Sequence, residues 1–130
     1  MQTLKILFIL FIGLVPSLVN AAQPTCHSSS GGYCSYTGKV QRIYINSGNL
    51  ILLYFDTPLP SSAPASIGLN ITRSGVGAAA LRVESNPDFA KLFYSTALAA
   101  QASNRDITIQ MRGITSGYLT IDRIWLAAAE

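Results

Sequence analysis

The sequence has little charge, few cysteines and only one histidine. Only 12% of its 130 residues are charged, whereas ordinary globular domains carry about 25%. Nine Lys and Arg against six Asp and Glu leave a net charge of +3, too small to indicate nucleic-acid binding from composition. Two cysteines exclude a dense disulfide scaffold, and a hydrophobic content of 49% excludes a disordered chain. The length allows one domain.

Motifs typical of common enzymes are also absent. The chain has no G-x-S-x-G, no H-E-x-x-H and no glycine-rich phosphate loop, and its histidine, His27, follows Cys26 in an irregular segment. A zinc site made of Cys26, His27 and Cys34 would have unfavourable ligand spacing. We therefore predict no catalytic residues, no cofactor and no metal site, and we expect that the protein is not an enzyme.

The first 21 residues have the layout of a secretory signal peptide. Lys5 precedes an uncharged, mostly aliphatic run at residues 6–19, and Ala21 precedes the expected cleavage point. A membrane-spanning helix needs about 20 apolar residues, but this run is shorter and contains Pro16. We predict an exported protein, periplasmic or secreted, with no membrane span after cleavage.

Residues 22–37 indicate an irregular leader, and the main domain is predicted at residues 38–130. Cys26 and Cys34 flank a flexible Ser- and Gly-rich stretch at residues 28–32. Because exported thiols meet oxidising conditions, we predict a disulfide between these two cysteines. Closing so small a loop stabilises a fold by about 2–3 kcal/mol in the chain-entropy model.

The main domain alternates between strands and turns and contains one helix. Asn86, Pro87 and Asp88 are typical of a helix start, and Asn104 of a helix end, so the helix is predicted over Pro87 to Ser103. Bulges near Gln41 and Asp122 would bring apolar residues of two strands into phase. The stripe predicted to face the core consists of Phe89, Leu92, Phe93, Thr96, Ala97 and Ala100. The strands are predicted at residues 39–46, 50–56, 66–72, 106–112 and 118–127, with 78–84 as a continuation or an extra strand.

This order of elements predicts the fold class. Five strands with one helix between the third and the fourth is the order of an OB-fold barrel, and bends in the strands help a small barrel to close. We therefore predict a mainly β domain with one helix, built as an OB-fold-like five-stranded barrel. A small α+β sandwich is the alternative.

The helix and the strand that follows it carry a resemblance. Residues 89–102 (FAKLFYSTALAAQA) followed by residues 107–110 (ITIQ) resemble the helix–strand unit of small exported bacterial OB-fold proteins. Those proteins resemble the B subunits of AB5 toxins, particularly the subtilase-cytotoxin and pertussis-like group. The resemblance implies a homopentamer or heteropentamer that binds cell-surface glycans and carries a catalytic A subunit. The toxin subunits usually hold a disulfide inside the barrel, whereas both cysteines here precede it, and no glycan-binding residue is carried over.

The predicted ligand contacts lie on the outward side of two strand regions. Aromatic rings stack on sugars, and OB barrels bind along their second and third strands. Arg42, Tyr44 and Tyr54 on the first hairpin are the leading candidates, followed by Gln110 and Arg112 on the fourth strand. We therefore expect a glycan- or receptor-binding module.

One other function remains open. A stand-alone exported structural or assembly protein is the alternative, because the weakly polar helix face of Tyr94, Leu98 and Ala102 is typical of an interface. Nucleic acid is not an expected partner, because the arginines are scattered along the chain and the protein is exported.

Overall fold

The computed structural model of the protein describes residues 22–128, so the signal peptide predicted at residues 1–21 lies outside the described residues. Two short 3-10 turns, Ser29–Gly31 and Val83–Ser85, accompany the strands and helices. In chain order the strands and helices are β1 (Thr25–His27), β2 (Tyr33–Gly38), β3 (Val40–Ile45), β4 (Leu50–Phe55), α1 (Ser62–Ala65), β5 (Ala78–Arg82), α2 (Pro87–Ser103), β6 (Ile107–Thr115) and β7 (Tyr118–Leu126). The described strands form one sheet in the order β1-β2-β6-β7-β5-β4-β3.

The mainly β class with a single long helix is confirmed for the described residues. Neighbouring strands are antiparallel except β5 and β7, which run parallel because α2 and β6 intervene along the chain. The predicted five-stranded barrel is not confirmed, since the sheet has seven strands with β1 and β3 at its two ends. The extra strands come from the segment that was expected to be irregular.

Where the sequence indicates an irregular leader at residues 22–37, the chain forms β1 and nearly all of β2. The boundary predicted at residue 38 falls on the last residue of β2, and β2 pairs with β6 along its length. Cys34 and Tyr36 are fully buried and two residues apart, which is the spacing of a strand with one inward face. The surrounding Ser and Gly residues are typical of a flexible segment, so the composition of this segment does not indicate a strand.

The predicted disulfide between Cys26 and Cys34 is confirmed. The two residues face each other directly across β1 and β2. The bridge therefore attaches the edge strand β1 to the sheet, with the turn Ser29–Gly31 between the two cysteines.

The strand predicted at residues 66–72 is wrong. Two backbone amides of this segment, those of Ile67 and Leu69, donate to the Pro64 carbonyl at 3.1 and 3.0 Å, so they continue the turn of α1. Gly68 has a φ of +82°, which bends the chain away from an extended path. The third strand of the main domain is instead β5, which pairs with β4.

The boundaries predicted for α2 are confirmed. The side-chain oxygen of Asn86 accepts a hydrogen bond from the Phe89 amide at 3.1 Å, and Asn104 ends the helix in a left-handed conformation with φ 52°. Leu92 was predicted to face the core but is 66% exposed. The residues of α2 that are buried are Ala90, Phe93, Ala97 and Ala100. No helix in residues 22–128 is long and apolar enough to cross a membrane.

The sheet curves around one core. Both predicted bulges are confirmed, because the strand pairings skip Gln41 in β3 and Asp122 in β7. The ring of Tyr36 on β2 stacks on Phe55 of β4 with 4.3 Å between centroids, although β2 and β4 are the second and sixth strands of the sheet. Strands near opposite edges therefore meet through their inward side chains.

Candidate functional site

A cavity of about 310 Å³ opens where β4 ends and β5 begins. Arg42 and Tyr54, two of the predicted contacts, lie in its wall because they are direct partners across β3 and β4. The Arg42 guanidinium lies 4.0 Å from the centroid of the Tyr54 ring, a cation–π distance. The two side chains therefore pack against each other in the wall.

Three further polar residues complete this wall: Gln41, Asp56 and Thr57. The hydroxyl of Thr57 is buried and has no hydrogen-bond partner among residues 22–128. Neither Arg42 nor Asp56 forms an ion pair within the described residues. The cavity therefore presents a cation, a carboxylate and an amide to a bound molecule, while the Thr57 hydroxyl lies beneath its surface.

The opposite wall depends on a glycine. A Cβ on Gly77 would collide with the carbonyl oxygen of Thr57, so only glycine lets the start of β5 approach this loop. The Phe55 amide donates to the Gly77 carbonyl at 2.7 Å, which holds the two segments together. Val76 beside them adds an exposed apolar side chain to the cavity.

Asp56 is oriented from the core side by Tyr36. The Tyr36 hydroxyl donates to Oδ1 of Asp56 at 2.6 Å. Tyr36 is 1% exposed. Burial raises the pKa of Tyr36 far above its ordinary value of about 10, and the hydrogen bond with Asp56 raises it further. The Tyr36 side chain therefore stays a neutral donor and fixes one oxygen of the carboxylate.

Replacing Tyr36 with phenylalanine is expected to reduce stability by about 1 kcal/mol at neutral pH, because the hydrogen bond with Asp56 is lost. The folded-state pKa of Tyr36 lies above its unfolded value, so its contribution is fully present below about pH 10 and falls as pH rises further. The difference between the two proteins should therefore shrink above that pH. Urea unfolding of both proteins from neutral to alkaline pH measures this. A difference that is constant across the range would contradict the role of Tyr36 in alkaline unfolding.

The other three predicted contacts lie outside the cavity. Tyr44 is 45% exposed on β3, two residues beyond Arg42, and does not line the wall. Gln110 and Arg112 are on β6, which β7 and β5 separate from β4 in the sheet. The structure therefore divides the predicted contacts between two surfaces. Their roles as ligand contacts stay predictions.

Arg112 has structural partners that sequence reasoning did not identify. Its guanidinium donates to the Ser30 carbonyl at 2.6 Å, lies 3.3 Å from the Asp122 carboxylate and sits over the Tyr33 ring at 5.4 Å. These contacts attach the turn before β2 to the β6–β7 hairpin. Arg112 is therefore engaged on several sides by the protein itself.

The residues that sequence reasoning missed in the cavity follow directly after β4. Asp56 is the last residue of the strand predicted at residues 50–56, and Thr57 follows it, but neither was among the predicted contacts. A usable signal was their position, because polar residues just beyond a buried strand often line the binding sites of a domain. Among residues 22–128, no group of three or more His, Cys, Asp and Glu side chains could hold a metal ion.

Comparison with known proteins adds no relative. No protein-family model, no curated protein and no solved structure matches this chain.

Proposed function

We propose that the protein is a non-enzymatic carbohydrate-binding module and that its site is the cavity beside Arg42 and Tyr54. The observation that supports this most is the convergence of planar polar side chains, Gln41, Arg42 and Asp56, on one small cavity. Sugar hydroxyls both donate and accept hydrogen bonds, and these three groups together supply both functions. Val76 and the Tyr54 ring offer apolar surface to the C–H face of a sugar.

The size of the cavity favours a short ligand. Ligand pockets usually measure about 300–1,000 Å³, and this cavity of about 310 Å³ is at the lower end of that range. It therefore suits one sugar ring, such as the terminal residue of a glycan, better than a long chain. With one cation in the wall, it also lacks the basic groove that single-stranded nucleic acids require.

The proposed fold is a barrel of the OB type in which β2 and β3 are two halves of one strand. Only Lys39 separates them along the chain, yet β2 pairs with β6 and β3 pairs with β4, near opposite edges of the sheet. The contact between Tyr36 and Phe55 and the packing of α2 on both β3 and β7 support the same closure. OB barrels bind saccharides on their second and third strands, which would here be β4 and β5 beside the cavity.

Export and assembly complete the proposal. The signal-peptide layout and the disulfide between Cys26 and Cys34 support export to the periplasm or the medium. The resemblance to AB5 toxin B subunits supports an oligomer, a homopentamer in the simplest case, that binds a cell-surface glycan and a catalytic A subunit.

A stand-alone structural or assembly protein is the second candidate. The observation that favours it is an apolar surface where α2 meets the sheet: Ile45, Tyr94 and Leu98 are exposed, and a cavity of about 170 Å³ next to them is almost wholly apolar. This candidate requires no glycan, so the experiment below separates the two.

The proposal is tested with a glycan array probed with the oxidised, exported protein. Arg42→Gln and Asp56→Asn each remove the charge of a side chain, and Asp56→Asn also keeps its shape. Each is expected to weaken glycan binding about tenfold or more, as loss of a charged hydrogen bond does. Arg73→Gln is the matched control, because Arg73 is exposed and outside the cavity. Absence of any bound glycan, or equal binding by both cavity variants and the control, would refute the proposal.

A further inference from the structure

A second group of polar side chains lies on the outward face of β2, β6 and β7. Thr37, Thr108 and Trp125 are aligned across the three strands, and Ser35, Gln110 and Arg123 form the next row. Alternation along β6 places these side chains opposite the buried Ile109 and Met111. We call this surface the polar face; it consists of Ser35, Thr37, Thr108, Gln110, Arg123 and Trp125.

Gln110 occupies the centre of the polar face and is its most enclosed member. It is only 9% exposed, and in the part of the chain that the structure describes its side-chain amide forms no hydrogen bond with another residue. The amide atoms are not among the buried polar atoms without a partner, so they reach the surface. A glutamine amide offers two donors and an acceptor oxygen. A ligand on the polar face can therefore hydrogen-bond this amide at the surface.

Trp125 supplies the apolar part of the polar face. Its side chain is 49% exposed, and its strand partner Thr108 lies beside it with a hydroxyl that is 2.9 Å from the hydroxyl of Thr37. Tryptophan combines a flat apolar surface with one N–H donor and is among the side chains most used in recognition. An indole next to hydroxyl and amide groups matches a molecule with one apolar side and a polar edge.

The geometry excludes several other ligands. An extended peptide cannot add a strand here, because β6 is already paired on both sides by β2 and β7. Arg112 beside the polar face is engaged by Asp122 and the Ser30 carbonyl. Arg123 is the one cation on the polar face, and its guanidinium is paired with the same Asp122 carboxylate at 3.5 Å. One cation is too few for a nucleic acid, and the row of hydroxyls is too polar for a lipid chain.

We propose that the polar face is a second carbohydrate site, in which a sugar ring lies on the Trp125 indole while Gln110 and Thr108 hydrogen-bond its hydroxyls. This site rests on the ligand class of the proposed function but shares none of the residues of the first site. An experiment can therefore refute either site without refuting the other. Two sites on different strands would let one copy of the protein contact two sugars of a glycan, which raises avidity.

Trp125 is the only tryptophan in the sequence, so its fluorescence reports on this site alone. Lactose, N-acetylglucosamine, N-acetylneuraminic acid and any glycan found on the array are titrated into the oxidised protein. At least one sugar is expected to shift the emission and protect the indole from acrylamide quenching, in a saturable manner. Absence of a saturable change with all of these sugars overturns the proposal.

Gln110→Met, which keeps the size of the side chain but removes the amide, is expected to weaken the fluorescence-detected binding about tenfold. Thr108→Val, at the rim of the polar face, should also weaken binding. It takes the place of Gln110→Met in the test if Gln110→Met does not fold. Arg42→Gln, in the other cavity, is the control and should leave the titration unchanged. The second site is overturned if Thr108→Val and a folded Gln110→Met both bind sugar as well as the native protein does. If binding is lost only in Arg42→Gln and Asp56→Asn, the first site stands and the second is overturned.

Discussion

Replacing Phe93 with alanine is expected to lower the free energy of unfolding by about 3–5 kcal/mol. Phe93 is 0% exposed and is the only large side chain among the four buried residues of α2, the other three being alanines. The cavity left by the ring would be lined on the helix side by methyl groups that cannot extend into it. Because the cost of a cavity depends on how far its walls collapse, a value in the upper part of this range is expected.

Urea unfolding measures this effect as a lower midpoint with an unchanged slope. Leu92→Ala is the matched control, since Leu92 is the preceding residue of the same helix and is 66% exposed. Its substitution is expected to change stability by no more than about 0.5 kcal/mol. Similar losses of stability for the two variants would contradict an orientation of α2 in which Phe93 is buried and Leu92 is exposed.

Removal of the disulfide is the second large effect. The double substitution of Cys26 and Cys34 with alanine is expected to cost about 2–3 kcal/mol, because the unfolded chain regains the freedom of a loop whose ends are separated by eight residues. The loss should be greatest in β1, since this edge strand has only β2 as a neighbour in the sheet. Hydrogen exchange of the amides in β1 and β2 measures the local part of the effect.

Reduction of the native protein is the natural control for this experiment. A thiol reductant should destabilise the native protein by a similar amount and should leave the double variant unchanged. A reductant effect on the double variant, or equal stability of the double variant and the oxidised native protein, would contradict the role assigned to the bridge.

The predictions that the structure confirmed depend on neighbouring residues. The ends of α2 at Asn86 and Asn104 follow from capping chemistry within a few positions, and the bulges at Gln41 and Asp122 follow from a one-residue change of phase. The disulfide was predicted from there being two cysteines in all and from a signal-peptide layout, which predicts an oxidising context. Each of these features is encoded within a short stretch of chain or by simple counting.

The predictions that were wrong concern features that depend on residues distant in the sequence. Residues 66–72 alternate like a strand, but the two neighbouring positions beside β4 are occupied by β3 and β5, so this segment packs on the core as turns. Leu92 has the spacing of a core residue, but the sheet packs against the alanine side of the helix instead. Packing of the whole domain thus decided whether residues 66–72 form a strand or turns and which face of α2 is buried, because the local sequence permits either.

The sequence by itself determined the mainly β class, the helix with its caps, the bulges and the disulfide, because each rests on patterns of neighbouring residues or, for the disulfide, on there being two cysteines. Only the tertiary structure decided that Arg42 and Tyr54 share a cavity with Asp56 and Thr57. It also placed Gln110 on a different surface, beside Trp125. The physical reason is that strand order and sheet curvature arise from burial of the whole core at once, and no short segment carries that information.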